Sequence, residues 1–474
     1  MTPVQPMATA MPAEITVTVG PVAHGGHCVA RHEGRVIFVR HALPGEVVKI
    51  RLTEHEDGAS FWRADTIEVL EASADRVPHF WAEADALAAA RRGQQPVGGA
   101  EFGHISRPGQ RRLKEAVLRE QLARLAGIDA DWIEAREGVL DDGVEDVDAG
   151  GTEEQRAGLG WRTRAAFAVS PAGKLGMHAH RSTRIVPVDG MPLAVDGINN
   201  LRLSELDLTG ISRIEVAAPA NGSVPLVLLA PAEELGPKAA GLALKRVGNA
   251  IKNASAERGQ AVSVASWNPE TGAIEVLAGR GWVSETAAGH EFRVTGAGFW
   301  QIHRNAPAVL TGAALDFLSD GGFLAAGAGV ADLYAGAGLF TAPLADAVGA
   351  TGTVLSVEGA AGTSKDARKN LHAAGQVQIQ LGKVERVLAA ARRSFDAVVL
   401  DPPRAGAGKP VVRQLLATGP RAIAYVSCDP ASFARDLGYF RNAGWELAAL
   451  RAFDLYPHTH HLETVALLTP RETA

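Results

Sequence analysis

Two cysteines, Cys28 and Cys428, are all that 474 residues contain. That scarcity excludes a disulfide framework and any four-cysteine metal site. A single bridge between the two is not expected, because the first dozen residues (MTPVQPMATAMP) lack the basic start and apolar stretch of a secretory signal. A cytoplasmic location is the expectation. No apolar run reaches the roughly 18 residues that would span a bilayer, so no membrane partner is expected. Basic residues are not in excess either: 47 Lys and Arg stand against 53 Asp and Glu, a formal net charge of −6. A surface that gripped nucleic acid all over would be basic. Any such contact must be local, as at Arg107–Arg119 (RPGQRRLKEAVLR). There is no internal repeat. What remains is ordinary for a soluble globular chain, with 46% hydrophobic and 21% charged residues, and the length suggests two to four domains with ample core.

Residues 1–13 read as a flexible tail. Residues 14–72 read as all-β: ITVTV, GRVIFV, PGEVVKIRL and WRADTIEVL are short alternating runs with Gly and Pro between them, the pattern of a small barrel. The stretch HGGHCVARHEGRVIFVRHALPGEVVKIRL resembles the TRAM domain, an oligonucleotide-binding-type barrel found on RNA-modifying enzymes. An RNA-binding role for it rests on that resemblance, since acidic residues slightly outnumber basic ones there. His24, His27, Cys28 and His32 match no finger spacing and are followed by no second ligand pair, so no metal is expected. Residues 108–127 read as an amphipathic helix through Leu113, Val117, Leu118, Leu122 and Leu125. Residues 137–160, acidic and Gly-rich, read as a surface loop. Strand-like pieces RAAFAV, TRIVPV and SRIEVAA alternate with turns and helices, so residues 73–290 are expected to form a central α+β domain with a linker helix.

Residues 291–474 change pattern. VADLY, TVLSVE, VQIQL, DAVVLD and AIAYVS are separated by helical stretches, and two more strand-like runs follow. The fold class expected is α/β, with a doubly wound, mostly parallel Rossmann-like sheet in this domain. Ligands in such sheets sit at the carboxyl ends of the strands. After the first strand comes Asp332-Leu-Tyr334-Ala-Gly336-Ala-Gly338-Leu-Phe340, whose glycines let backbone approach a ligand closely. The second strand ends at Glu358, about 20 residues on, where a carboxylate suits the hydroxyls of a ribose. A nucleoside cofactor fits. NAD competes with S-adenosylmethionine, but the full G-x-G-x-x-G is missing, with Thr341 where the last glycine would fall. The strand DAVVLD ends in Asp401-Pro402-Pro403-Arg404, where two prolines stop the ladder and stiffen the backbone. D-P-P at this strand end occurs in class I methyltransferases that act on bases, which favours S-adenosylmethionine.

The fifth strand ends at Ser427-Cys428-Asp429-Pro430, ahead of a helix. A thiol at a helix N-terminus is expected to have a lowered pKa; the alternative is a buried cysteine acting as a small hydrophobe. Pyrimidine C5 is a poor nucleophile. A thiolate adding to C6 makes C5 enolate-like, able to take a methyl group, after which a base must remove the C5 proton. Glu463, in YPHTHHLET before the last strand-like run, is the candidate base, or else the solvated start of a strand.

Together these residues resemble the RNA uracil-C5 methyltransferase family, which acts on tRNA or large-subunit rRNA. DLYAGAGLFTAPLA is similar to its DLFCGxGxFTLPLA, and LDPPRAG, YVSCDPASFARD and YPHTHHLETVALL follow its late motifs. Phe299-Trp300-Gln301-Ile302 resembles its F-F-Q-V. The resemblance implies an RNA enzyme using S-adenosylmethionine, with Cys428 as nucleophile and Glu463 as base; separately, a monomer is the expectation. It implies Gln301, Asp332, Tyr334, Gly336, Gly338, Glu358 and Asp401 at the cofactor, and Phe299, Pro402, Arg404 and His458 at the substrate. Many relatives carry four cysteines for an iron–sulfur cluster. Here Val77, Val97, Ala100 and Met191 stand in those places, so no cluster of that type is expected, and packing is expected to replace it. Lys383 is a smaller departure, where a small polar or acidic residue would be expected near the adenine. A reading of another class, a catalytically weak RNA-binding protein that keeps the fold, is opposed by the joint presence of Cys428, Glu463, Asp401 and Gln301. A cytosine enzyme would carry a Pro-Cys motif where this chain has DPPR.

Overall fold

The computed structural model describes residues 14–56, 59–180, 182–391 and 393–471; the tail expected at residues 1–13 lies outside them. Two compact units emerge: Met1–Leu113 with His458–His460, and Lys114–Pro457 with His461–Ala474.

In the first unit, strands β1 (Glu14–Val22), β2 (Cys28–His32), β3 (Arg35–Arg40), β4 (Val47–Glu54) and β5 (Trp62–Glu71) close a barrel in the order β1-β2-β3-β5-β4. Alternation decides which side chains fill it: Ile37 and Val39 from β3 and Val48, Ile50 and Leu52 from β4 are buried, while their neighbours point out. Closure leaves no free strand edge. Glu46 is fully buried, and its carboxylate is met by Arg76 at 2.6 Å and by the Leu43 amide at 2.8 Å. Cys28 packs here as a small hydrophobe; burial pushes its thiol up to about 12. Of the positions expected to replace cluster cysteines by packing, Val97, Ala100 and Met191 are buried, but Val77 is 37% exposed. A polar contact ties Val77's neighbourhood instead: His79 Nε2 lies 3.0 Å from the Ala100 carbonyl oxygen, and His79 Nδ1 accepts from the Trp81 amide.

In the second unit, β6 (Val139–Glu145) is followed by β7 (Arg164–Val169), β8 (Leu175–His178), β9 (Ile185–Pro187), β10 (Ile211–Ala217), β11 (Leu226–Pro231), β12 (Ser263–Trp267) and β13 (Ile274–Ala278). The last seven form a mixed sheet, β13-β12-β11-β10-β7-β8-β9. A hairpin of β14 (Trp282–Ala287) and β15 (His290–Thr295) leads on to β16 (Gly329–Leu333), β17 (Thr353–Glu358), β18 (Val377–Leu381), β19 (Ala397–Leu400), β20 (Ala422–Ser427), β21 (Trp445–Phe453) and β22 (Glu463–Pro470). These make an eight-stranded sheet, β18-β17-β16-β19-β20-β22-β21-β6.

From β18 to β20 the pairing is parallel, and β22 then runs antiparallel to both β20 and β21. Strand order reverses between β16 and β19, the switch point at which such sheets open a crevice. The inner parallel strands are largely apolar on both faces because helices cover both. Ala397 and Val399 of β19 face one layer with Leu310, Ala314 and Leu318 of the helix Ala306–Asp320. Val398 and Leu400 face the other, with Phe433, Leu437 and Phe440 of the helix Pro430–Asn442.

Residues 137–160 are not a loop throughout. Val139–Glu145 is the outermost strand of the large sheet, parallel to β21. Only its inward positions, Val139, Leu140 and Val144, are buried, while Asp141 and Asp142 are exposed. An edge strand can be this acidic because one flank meets water. Among the described residues, no helix is long and apolar enough to cross a membrane.

Candidate functional site

The carboxyl ends of β16, β17, β19 and β20 lie side by side. Leu333 pairs with Val357 on one side and Leu400 on the other, and Leu400 pairs with Tyr425. The residues just beyond these pairs are therefore neighbours across the crevice: Tyr334, Glu358, Asp401 and, two positions after Val426, Cys428.

The glycine turn is built for close approach. Tyr334 has φ +66°, an uncommon conformation for a bulky residue, of the kind that persists where surroundings hold it. Gly336 (φ +56°) has open space where a Cβ would stand, whereas a Cβ at Gly338 (φ +98°) would meet Leu371 Cδ1 at 2.9 Å. Glu358 Oε2 accepts from the Gly336 amide at 2.8 Å, and Glu358 Oε1 accepts from the Ala360 amide at 2.6 Å. The carboxylate at the end of β17 thus shapes the turn while keeping lone pairs for a ligand. Asp332 is fully buried. Its Oδ2 accepts from the Thr341 hydroxyl, so the residue standing in place of a third glycine braces the turn. Asp332 Oδ1 is buried with no hydrogen-bond partner, an atom that a donor on a bound molecule would complete. Burial, and next to it Glu358, push Asp332 up to about 7, against the Thr341 bond that holds it down. Asp401 reaches about 7 as well, through burial and then Asp332. An unpaired buried acceptor, an open glycine and a carboxylate at the second strand end fit a nucleoside cofactor.

Gln301 is buried, Trp300 packs on Phe292 at 5.2 Å, and Phe299 is 63% exposed. Their loop is gripped from β7. Arg164 donates to the Gly298 carbonyl at 2.7 Å, and the Thr163 hydroxyl donates to the Ile302 carbonyl at 3.0 Å.

On the other side of the crevice, antiparallel pairing of Ser427 with Thr464 brings Glu463 level with Cys428. Glu463 is 2% exposed, and its Oε2 has no hydrogen-bond partner. Burial, then Asp401, push this carboxyl well above its ordinary range, while a hydrogen bond from Tyr456 and the charge of Arg404 pull it back. The expected depression of the Cys428 pKa is corrected. Burial raises the thiol to about 12, Glu463, Asp401 and Asp429 push the same way, and only Arg404 opposes. The helix N-terminus does not win, because Asp429 already caps it, accepting from the Ser432 amide at 2.8 Å.

Arg404 is exposed, with its guanidinium 3.4 Å from His461 Nε2. Pro402 is buried beside it. His458, expected at the substrate, has φ +64° and lies in the first unit. Its ring Nδ1 is 3.1 Å from Gln110 Nε2, and the Phe80 ring is 4.3 Å away. Two neighbours escaped the motif reading: Tyr456, although it opens a motif already singled out, and Arg162, whose proton affinity burial lowers, with Tyr456 opposing and Arg404 adding to the effect. No motif marks Arg162.

A class I methyltransferase sheet preceded by a TRAM barrel is the class of protein that this fold and crevice define. The family model of the TRAM domain matches residues 13–61, and that of the tRNA (Uracil-5-)-methyltransferase matches residues 325–471. An RNA methyltransferase of Streptomyces avermitilis is 42% identical, over 97% of this chain and 99% of its own. The 23S rRNA (uracil(1939)-C(5))-methyltransferase RlmD of a Shewanella species is 27% identical, over 96% and 95%. The Pyrococcus abyssi tRNA (uracil-54, C5)-methyltransferase, solved with S-adenosyl-L-homocysteine, superposes with a TM-score of 0.66 over 95% of this chain and 99% of its own. At 18% identity that likeness is one of fold. The chain belongs to the RNA uracil-C5 methyltransferase family.

Proposed function

We propose that this protein transfers a methyl group from S-adenosylmethionine to carbon 5 of a uridine in RNA, through a covalent bond between Cys428 and carbon 6. The observation that carries this reading is the strand register that sets Ser427 against Thr464, with Cys428, Glu463 and Asp401 close enough to shift one another's proton affinity.

Glu358 would hold the ribose of the cofactor, with Gln301, Asp332, Tyr334, Gly336, Gly338 and Asp401 around the rest. When bound, the cofactor supplies an electrophilic methyl group and a positive charge. Cys428 rests as a thiol among carboxylates, so its proton passes to solvent most readily once those carboxylates are countered by positive charge. Sγ then bonds to C6, the C5–C6 double bond opens, and its electron pair moves toward O4 while C5 becomes nucleophilic. After methylation, the unpartnered Oε2 of Glu463 takes the C5 proton, the double bond re-forms, and the C6–Sγ bond breaks. Arg404, Phe299 and Pro402 would meet the RNA; the ring of His458 is occupied by Gln110 and Phe80, and no direct contact to RNA is proposed for it. An iron–sulfur cluster is no part of this mechanism, since a four-thiolate site cannot be assembled from two cysteines. The protein would act as a monomer.

The test uses RNA containing 5-fluorouridine, whose fluorine cannot leave as a proton does. A stable adduct at Cys428, absent in Cys428→Ala, is expected, with cofactor binding retained in the variant. Large-subunit rRNA, the substrate named for the Shewanella relative, is the first RNA to try, and tRNA the second. Adduct formation in Cys428→Ala would refute the nucleophile.

A further inference from the structure

Of the acidic residues in the segment 137–160, Asp148 alone is buried, with its side chain 0% exposed. A buried carboxylate must be matched by donors. Its partners are three consecutive residues just after Gln301: His303, Arg304 and Asn305. We propose that Asp148 is a positioning residue for the cofactor: it pins the segment 303–305 and so holds Gln301 where S-adenosylmethionine is received. This rests on Gln301 being a cofactor contact.

Three observations carry the proposal. First, the carboxylate is saturated and its bonds have a fixed sense. Arg304 Nη2 donates to Asp148 Oδ1 at 2.6 Å, and Asn305 Nδ2 donates to the same oxygen at 3.0 Å. His303 Nε2 lies 3.2 Å from Oδ2. The other ring nitrogen, Nδ1, accepts from the Asn305 amide at 3.0 Å, so in the neutral ring the proton sits on Nε2 and is donated to Asp148. Burial holds this ring's pKa below its ordinary value, with Asp148 opposing. The ring also stacks on Trp161, 5.7 Å between centroids. Second, Asn305 stands at the N-cap position of the helix Ala306–Asp320, yet its side chain does not cap that helix. An asparagine there ordinarily accepts from an amide of the first turn, worth about 1 kcal/mol. Its amide group goes instead to Asp148 and to the Val147 carbonyl. A local rule broken in favour of a distant partner marks a place where function outweighs helix stability. Third, the backbone around Gln301 is held on both sides. The Ile302 carbonyl accepts from the Thr163 amide at 2.8 Å and from the Thr163 hydroxyl at 3.0 Å, and the Trp161 carbonyl accepts from the Arg304 amide at 2.9 Å. Directly after Asn305 comes the helix that packs against β19, the strand leading to Asp401. Pinning 303–305 therefore sets Gln301 against the crevice before any ligand arrives.

Asparagine at 148 keeps the shape but not the bonds. If its oxygen serves Arg304 and Asn305, its NH2 group faces the Nε2–H of His303, donor to donor; turned over, it faces Arg304. The experiment is a double-mutant cycle on the full chain, read by calorimetry with S-adenosylhomocysteine. Asp148→Asn should weaken binding about tenfold, the scale of one bond to a charged group. In a Gln301→Ala background the same change should cost less than about twofold, because the residue it positions is gone. Equal losses in both backgrounds overturn the proposal, since a general packing defect weakens binding whether or not Gln301 is present. Wild-type affinity in Asp148→Asn overturns it as well. Asn305→Ala removes one donor and leaves the Arg304 pair in place, so it decides the matter if Asp148→Asn does not fold. About threefold weakening is expected, again only with Gln301 present; no weakening overturns the proposal. If Gln301→Ala by itself binds as wild type, Gln301 is no cofactor contact, and the reading beneath the proposal is what has failed.

Discussion

Replacing Lys114 by Met would take the ammonium away from the buried Asp454 carboxylate. Both side chains are 0% exposed, with nitrogen and oxygen 2.5 Å apart. Removing one partner from such a pair costs about 3–5 kcal/mol, because the remaining charge is stranded in low dielectric. The bond from Lys114 to the Tyr456 carbonyl is lost too, worth about 1 kcal/mol more. At about 2–4 °C per kcal/mol for a large domain, the transition of the second unit should fall by roughly 8–24 °C. Scanning calorimetry is the assay, with thermal-inactivation rates beside it, because two units need not melt together. The double variant Lys114→Met with Asp454→Leu removes both charges and should recover most of the loss, since apolar replacements of buried pairs are tolerated. A single variant that loses less than about 2 °C on the same scale, or a double variant worse than the single, would refute the reasoning.

Glu285 is 4% exposed with one unpartnered oxygen, and burial raises it to about 7 against the pull of Arg164. A carboxyl raised in the fold keeps its stabilising share below the unfolded value and loses it as pH climbs through about 7. Glu285→Gln should therefore match wild type at pH 4 and exceed it at pH 8, by about 3 kcal/mol in denaturant titrations; no gain at pH 8 would contradict this. Asp332 and Asp401 both titrate near 7, so affinity for cationic S-adenosylmethionine should rise from pH 6 to pH 8. The uncharged sulfur of S-adenosylhomocysteine should show a flatter profile by calorimetry, and equal slopes would count against a sulfonium near these carboxylates. Gly338→Ala forces a Cβ to 2.9 Å from Leu371 at φ +98°. It should cost about 1–3 kcal/mol and weaken cofactor binding; a variant binding as wild type would remove the turn from the cofactor site.

The parallel strands were legible because residues buried on both faces must be apolar throughout. TVLSVE and AIAYVS begin and end where β17 and β20 do. The crevice was legible because its chemistry sits at strand ends, where Glu358, Asp401 and Cys428 interrupt those runs. What escaped depends on partners far apart in the chain. Val139–Glu145 carries more acid than an interior strand would tolerate, and only the edge position makes it admissible. The proton affinity of Cys428 could not be read from its helix, because the groups that raise it come from positions 401, 429 and 463. Tyr334's left-handed backbone and the phenol of Tyr456 left no compositional mark.

The edge strand β6 has a consequence for how the molecule is made. It leaves the ribosome well before β21, its sole partner in the large sheet, and the whole mixed sheet is synthesised in between. The nascent strand must wait, shielded, until Trp445–Phe453 has been made. For the same reason, a gene fragment starting at residue 291 would encode a protein with a raw β21 flank and an Asp454 deprived of Lys114. Such a truncation should be prone to aggregation, however complete its catalytic motifs look on paper.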